Sequence, residues 1–328
     1  MAFPVATGVS TPPIYPTGGT GNQMSADKFI PEIWSGKLVE KFYDSTVLAA
    51  IANTDYEGEI KNQGDKVIIR TKPTVTIKDY RADGALELER PRGSNVSLLI
   101  DKGKYFNTIL DDVMDVQSDL NSLNLWSEDA AQQMKIVIDS AVLLGLLGTP
   151  AAANRGLTAG RISGDINLGV TGTPLAVVAR DPGVGEVEVL DVLLRLGQVL
   201  DEQNIPEQGR WAIIPTWFST RIKMSELRQA YLSGDSVSML RNGRIGMIDR
   251  FTLYVSNLLP AGVAGGLAAG EFAVFAGHSH GLTFASQVSK VETLRSEMTF
   301  GTILRGLQVY GFSVIDGTAI AQAIVAKA

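Results

Sequence analysis

The sequence predicts an α+β protein, and three observations carry that reading. A period-2 stretch near residues 64–77 returns through a second extended stretch after a strongly charged turn. One apolar stripe at helical spacing persists from about Asp119 to Leu147. Downstream, strands and helices interleave without a simple βαβ repeat.

The elements follow in chain order. Residues 1 to about 27 hold Thr11-Pro12-Pro13, Pro16 and Gly18-Gly19-Thr20-Gly21, a composition that cannot bury a core by itself and reads as an arm. Ile33, Trp34, Leu38, Phe42 and Tyr43 recur near helical spacing and predict an amphipathic docking helix ending before Asp44-Ser45. Val67, Ile69 and Thr71 then share one strand face, with Lys66, Ile68 and Arg70 on the other. The returning leg runs from Val96 through Leu98, Ile100, Lys102 and Lys104. The tip between the legs carries Lys78, Arg81, Arg90 and Arg92 against Asp79, Asp83, Glu87 and Glu89, with almost nothing apolar. Solvated charges keep such a tip off its own domain and suit it to reach another subunit.

Leu123, Trp126, Ala130, Met134, Val137, Ala141 and Leu144 form the helical stripe, and Gly148-Thr149-Pro150 stops it. The Gly/Ala/Thr-rich residues 150–186 read as a loop with room for a short hairpin. A second helix carries Val189, Val192, Leu193, Leu196, Val199 and Leu200 and ends before Ile205-Pro206. Trp211 to Ile214 is a buried strand, and Thr216 stands as N-cap of a helix through Trp217, Phe218, Ile222 and Met224. Phe251 to Val255, Phe272 to Phe275, Leu282 to Leu294 and Thr302 to Ile315 are strands, and Ala319 to Ala326 closes the chain as a short apolar helix.

Composition narrows the function. The chain has 328 residues, 45% hydrophobic and 20% charged, which suits one elaborate globular domain or two interleaved ones. It has no cysteine, which removes disulfides and thiolate chemistry and fits a reducing cytoplasm. No charged and apolar leader follows Met1, and the apolar runs are too short for the roughly 20 residues of a membrane span, so no membrane partner is expected. The net charge of -6 opposes binding of nucleic acid by phosphate neutralisation.

Chemistry has few places to reside. The two histidines, His278 and His280, form an H-x-H that could bind a metal only with a third ligand; a polar turn between strands accounts for them more simply. Asp111, Asp112 and Asp115 could pair carboxylates on a helix, but an acidic helix start is the commoner explanation. Gly36-Lys37-Leu38 lacks the remainder of a phosphate loop, and the glycines at 262–270 do not make a dinucleotide fingerprint. No catalytic residue, cofactor or metal site is assigned.

Several segments, in order, resemble tailed-phage major capsid proteins of the Hong Kong 97 type, close to the podovirus coat-protein family. They are Phe29-Ile30-Pro31-Glu32-Ile33-Trp34-Ser35 with Val47-Leu48 and Asn53; Glu57-Gly58-Glu59-Ile60 with Gly64-Asp65-Lys66-Val67-Ile68-Ile69; Phe251 through Pro260; and Val291 to Arg295, Phe300-Gly301 and Val309 to Phe312. The resemblance implies an N-terminal arm and docking helix (1–57), an E-loop hairpin (58–107) and a peripheral domain with a spine helix (108–186). An axial domain (187–275), peripheral return strands (276–309) and a C-terminal strand and helix (310–328) follow. It further implies self-assembly into pentamers and hexamers of an icosahedral shell around double-stranded DNA, held without sequence-specific contacts. Portal, separate scaffolding and cement proteins are its implied partners, and the virion capsid, assembled in the host cytoplasm, its location. The tip residues named above, with Phe29, Trp34, Phe42 and Tyr43, would be intersubunit contacts. An encapsulin-like compartment shell and a hydrolase using His278 and His280 are the competing readings.

Overall fold

In the computed structural model of the chain, residues 1–41 separate from Phe42–Ala328. The structure describes residues 43–44, 46–55, 66–70, 73, 75–79, 88–93, 95–112, 122–225, 246–297 and 299–328. The expected docking helix with Phe29, Trp34 and Phe42 lies outside them.

The core is a seven-stranded mixed sheet. Its strands are β4 (Leu175–Val178), β5 (Glu186–Glu188), β6 (Arg210–Ile214), β7 (Met247–Ile248), β8 (Phe251–Val255), β9 (Glu271–His278) and β12 (Ile320–Lys327), in the spatial order β5-β4-β12-β9-β6-β8-β7. Helices α3 (Val189–Glu202) and α4 (Thr216–Met224) cover one face. There Val192, Leu196 and Leu200 of α3 and Phe218 of α4 meet Ala212, Ile214, Val274, Ala321 and Val325. The opposite face, with Trp211, Ile213, Phe275, Ile320 and Ile324, packs on Ile138, Val142, Leu143 and Leu146 from the end of the long helix α2 (Ser122–Gly145) and the turn after it. Neighbouring residues along each strand therefore enter different cores, as the two-residue strand period demands.

Burial on both faces overturns one expectation. Residues 320–327 form the strand β12, hydrogen-bonded to β4 and β9, and not a helix. The segment Ile320-Ala321-Gln322-Ala323-Ile324-Val325 is buried throughout, so it shows none of the apolar/polar alternation that marks a half-buried strand. Its alanines favour a helix locally, and the two ladders override them. Residues 150–186 also gain a place: they add β4 and β5 to the sheet and bind β12 through Asn154, whose Nδ2 donates to Thr318 O at 2.6 Å and Ile320 O at 2.9 Å. Gly169 lets this segment approach, because a Cβ there would meet Ile324 O at 2.3 Å. Thr216 is the first residue of α4 and not its cap, a position held by Pro215; the Thr216 hydroxyl bonds to Asn257 Oδ1.

Helix α2 spans 24 residues, about 36 Å at 1.5 Å per residue. After it, Gly148 takes a left-handed φ of 76°, and its N–H donates to Gln322 Oε1 at 2.8 Å. The spine thus ends against β12, an interior strand of the sheet. Sheet edges are short, three residues in β5 and two in β7. At the β7–β8 turn, Asp249 and Arg250 both have positive φ, 44° and 66°. Arg250 secures the turn through Asp201 and Glu207, each at 2.8 Å.

A second, three-stranded sheet is ordered β10-β11-β3, with β10 (Leu282–Arg295), β11 (Gly301–Val314) and β3 (Lys102–Asp111). Asp111 therefore ends a strand, and Asp112, directly after it, is helical. Asp112 forms a two-point ion pair with Arg295, and Asp115 lies outside the described residues.

Asn154 is fully buried, and its Oδ1 also accepts from Gln203 Nε2 at 2.9 Å. Asn154→Ala should strip these partners together and cost about 2–3 kcal/mol, to be read as a lower midpoint in urea unfolding of the isolated subunit.

Candidate assembly interface

The hairpin predicted near residues 64–104 forms, in a shorter version. Strands β1 (Lys66–Arg70) and β2 (Asn95–Leu99) pair antiparallel, Lys66 opposite Leu99 and Arg70 opposite Asn95. The returning leg breaks at Ile100, whose side chain is buried, and Lys102 and Lys104 belong to β3, paired with β11. Ile69, Leu98 and Ile100 pack on Ala285 of β10, so the hairpin's base sits on its own body. Gly311 of β11 makes the contact possible, because a Cβ there would lie 2.0 Å from Leu99 O.

Beyond the base, every described residue from 73 to 93 is exposed. Lys78, Asp79, Glu89, Arg90 and Arg92 are among them, whereas Arg81, Asp83 and Glu87 lie outside the described residues. The legs are tied by Thr76 Oγ1, which donates to Glu89 Oε1 at 3.2 Å. Sequence reasoning, fixed on the charges, missed the apolar side chains beside them: Ile77 is 90% and Leu88 98% exposed. The signal was available, since a β-branched residue and a leucine within a charged turn have no local core to enter.

Helix α2 carries two apolar stripes. The one buried in the second core runs through Ile138, Val142 and Leu146. The stripe picked out from the sequence only partly coincides with it: Met134 packs on the second core, Ala130 and Ala141 are half-buried, and Trp126, Val137 and Leu144, eleven and seven residues apart and so close to whole turns, are exposed. The last part of the helix is apolar almost all round, so periodicity fits either line, and only the sheet decides which is buried. Tyr43 lies beside the exposed stripe, its hydroxyl donating to Asp129 Oδ1 at 2.8 Å.

The three-stranded sheet shows a third surface. Cross-strand register places Tyr105 opposite Leu307 and Ile109 opposite Ile303, with Arg305 facing Glu292 in the row between. Tyr105 is 79% exposed, and Ile109 and Leu307 are about half exposed. Glu292 lies within 2.8 Å of Lys290 Nζ and takes a 2.6 Å bond from Arg305 Nε. Those two cations hold its carboxyl below the usual glutamate range. The charges on this face are satisfied within it, and its apolar side chains are not.

The histidines form a turn. His278 ends β9, and its Nδ1 accepts from the His280 N–H at 3.1 Å, closing the turn into β10. Among the described residues no group of three His, Asp or Glu could hold a metal ion. Burial, helped by the neighbouring His280, lowers the His278 pKa below the ordinary histidine value.

Among the described residues, three apolar surfaces are left uncovered on a two-core body. Solved structures share this architecture. A chain of Mycobacterium phage Che8 superposes at a TM-score of 0.72 with 26% identity over 90% of this chain and 97% of that one. The capsid of cyanophage P-SCSP1u gives 0.70 with 12% identity over 93% and 96%, and the mature capsid of bacteriophage PhiM1 0.66 with 15% over 90% and 92%. No curated protein sequence matches. The fold is the Hong Kong 97-type capsid fold, and the class it defines is the shell subunit. The profile of the family described as phage capsid protein matches residues 96–323, and the chain belongs to that family. It is a major capsid protein: copies assemble with one another into the shell of a virion. The family is structural, and it sets the shell among phage capsids and apart from bacterial compartments.

Two outcomes test this surface. Gly311→Ala should push β2 off β11, raising hydrogen exchange at Ile69 and Leu98 while leaving β9 and β12 protected. His278 should titrate below an ordinary histidine in a proton NMR titration. Since the folded state then takes up its proton less readily than the unfolded chain, stability should decline as pH falls through the ordinary histidine value, near 6.5, toward the folded one.

Proposed function

We propose that the chain builds pentamers and hexamers of an icosahedral shell around the double-stranded DNA of a tailed phage, with the hairpin tip as the clamp between neighbours. The observation that carries this reading is the near-complete exposure of Ile77 and Leu88 among the tip charges. Covering a leucine-sized side chain is worth about 1.5–3 kcal/mol, whereas an exposed ion pair contributes about 0–1 kcal/mol. Ile77 and Leu88 then supply adhesion, and Lys78, Asp79, Arg81, Asp83, Glu87, Glu89, Arg90 and Arg92 set register. A closed shell requires one sequence to make several related heterologous contacts, which a hairpin tip standing clear of its own base can supply.

By the same reading, residues 1–57 are the arm, 58–107 the E-loop, 108–186 and 276–309 the peripheral domain, and 187–275 with 310–328 the axial domain, with the correction that β4 and β5 belong to the axial sheet, so the boundary at 186 moves to before Leu175. Phe29, Trp34, Phe42 and Tyr43 contact a neighbour; for Tyr43 this means a contact made at the edge of its bond to Asp129. The net charge of -6 suits enclosure of DNA without phosphate-neutralising contacts. Portal, scaffolding and cement proteins are separate chains, and assembly takes place in the host cytoplasm.

Ile77→Asp with Leu88→Asp, and separately deletion of residues 81–92, should leave circular dichroism and melting of the free subunit within error of wild type. Closed particles in negative-stain images should disappear in both. Normal particles from the deletion would remove the clamp.

A further inference from the structure

We propose that Asp139 is a positioning residue for assembly: from inside the spine helix its carboxylate fixes the root segment, residues 46–55, from which the arm and the hairpin both leave the body. The proposal rests on the reading that these extensions engage neighbouring copies. Asp139 is 1% exposed, on a helix whose adjoining residues Ile138 and Val142 belong to the second core. Its Oδ2 accepts the N–H of Val47 at 2.6 Å, and the N–H of Leu48 also bonds to this carboxylate. These amides open α1 (Leu48–Ile51), a four-residue helix with no side-chain cap of its own. The cap is supplied from 92 residues away.

The far end of the root is held by backbone bonds and by Ile51, fully buried in the second core. Asn53 N–H donates to Leu282 O at 2.8 Å, and Phe284 N–H to Asn53 O at 3.0 Å. Among the described residues Asp139 Oδ1 has no hydrogen-bond partner. Burial raises the Asp139 pKa, and the bonds from the two amides oppose that rise, so the carboxyl grips both amides at one point. A cavity of about 280 Å³ lies beside it, lined in part by Leu48, Ala52, Ile138 and Phe284, so the root has space to shift once the grip is lost.

The test uses the full chain with Asp139→Ala and Asp139→Asn. Asp139→Ala should raise hydrogen exchange at Val47 and Leu48 at least tenfold, leave β6, β9 and β12 protected, and turn closed particles into open or mixed-size ones. Asp139→Asn, whose side-chain carbonyl still accepts, should recover most of the protection and most of the closed particles; it also serves as the readout if the alanine variant does not fold. Unchanged exchange at Val47 and Leu48 in the variants overturns the grip. Raised exchange with uniform closed shells overturns the positioning role and leaves the shell reading intact. Failure of the wild type to form shells would count against that reading instead, and the exchange comparison would still decide the grip.

Discussion

The structure depends on burial of one sheet from both sides. Strand β12 lies inside that sheet between β4 and β9, its odd and even residues committed to different cores, one roofed by α3 and α4 and the other by the end of the spine helix. Because each core is built on the same strands, neither can loosen without disturbing the other. Everything that reaches outward, including the hairpin, the exposed stripe of α2 and the three-stranded sheet, is attached to this doubly covered platform.

The division between platform and periphery is also one of edges. The seven-stranded sheet ends on strands of three and two residues, too short to recruit a further strand. The smaller sheet ends on β3, ten residues long, with Tyr105 and Ile109 in the open. Lateral adhesion is thereby steered to the periphery, where the chain can adapt to several neighbours, and kept away from the part that must stay invariant.

Much of this was legible in the sequence. The spine helix, α3, β6 and β8 through β11 announced themselves because each has a polar side or a sharp stop, such as Gly148-Thr149-Pro150 after the spine and Ile205-Pro206 after α3. What failed was a buried segment without such a stop. Strand β12 lost its alternation and looked helical, and β4 and β5 vanished into a Gly-rich stretch that joins the sheet through β12 and Thr318, about 150 residues away. At the candidate interface, the charges of the hairpin were readable, since charge is a property of the residue. The exposure of Trp126 and Tyr105 was not, since exposure depends on what the rest of the chain leaves uncovered.

The junction between Gly148 and Gln322 has a mechanical meaning. A wall that encloses its contents is stretched in its own plane, and tension passing from the spine helix through Gly148 would be delivered to β12. There β12 is laddered to β4 on one side and β9 on the other. A pull along β12 would load those hydrogen bonds together, in shear, instead of unzipping them from an edge.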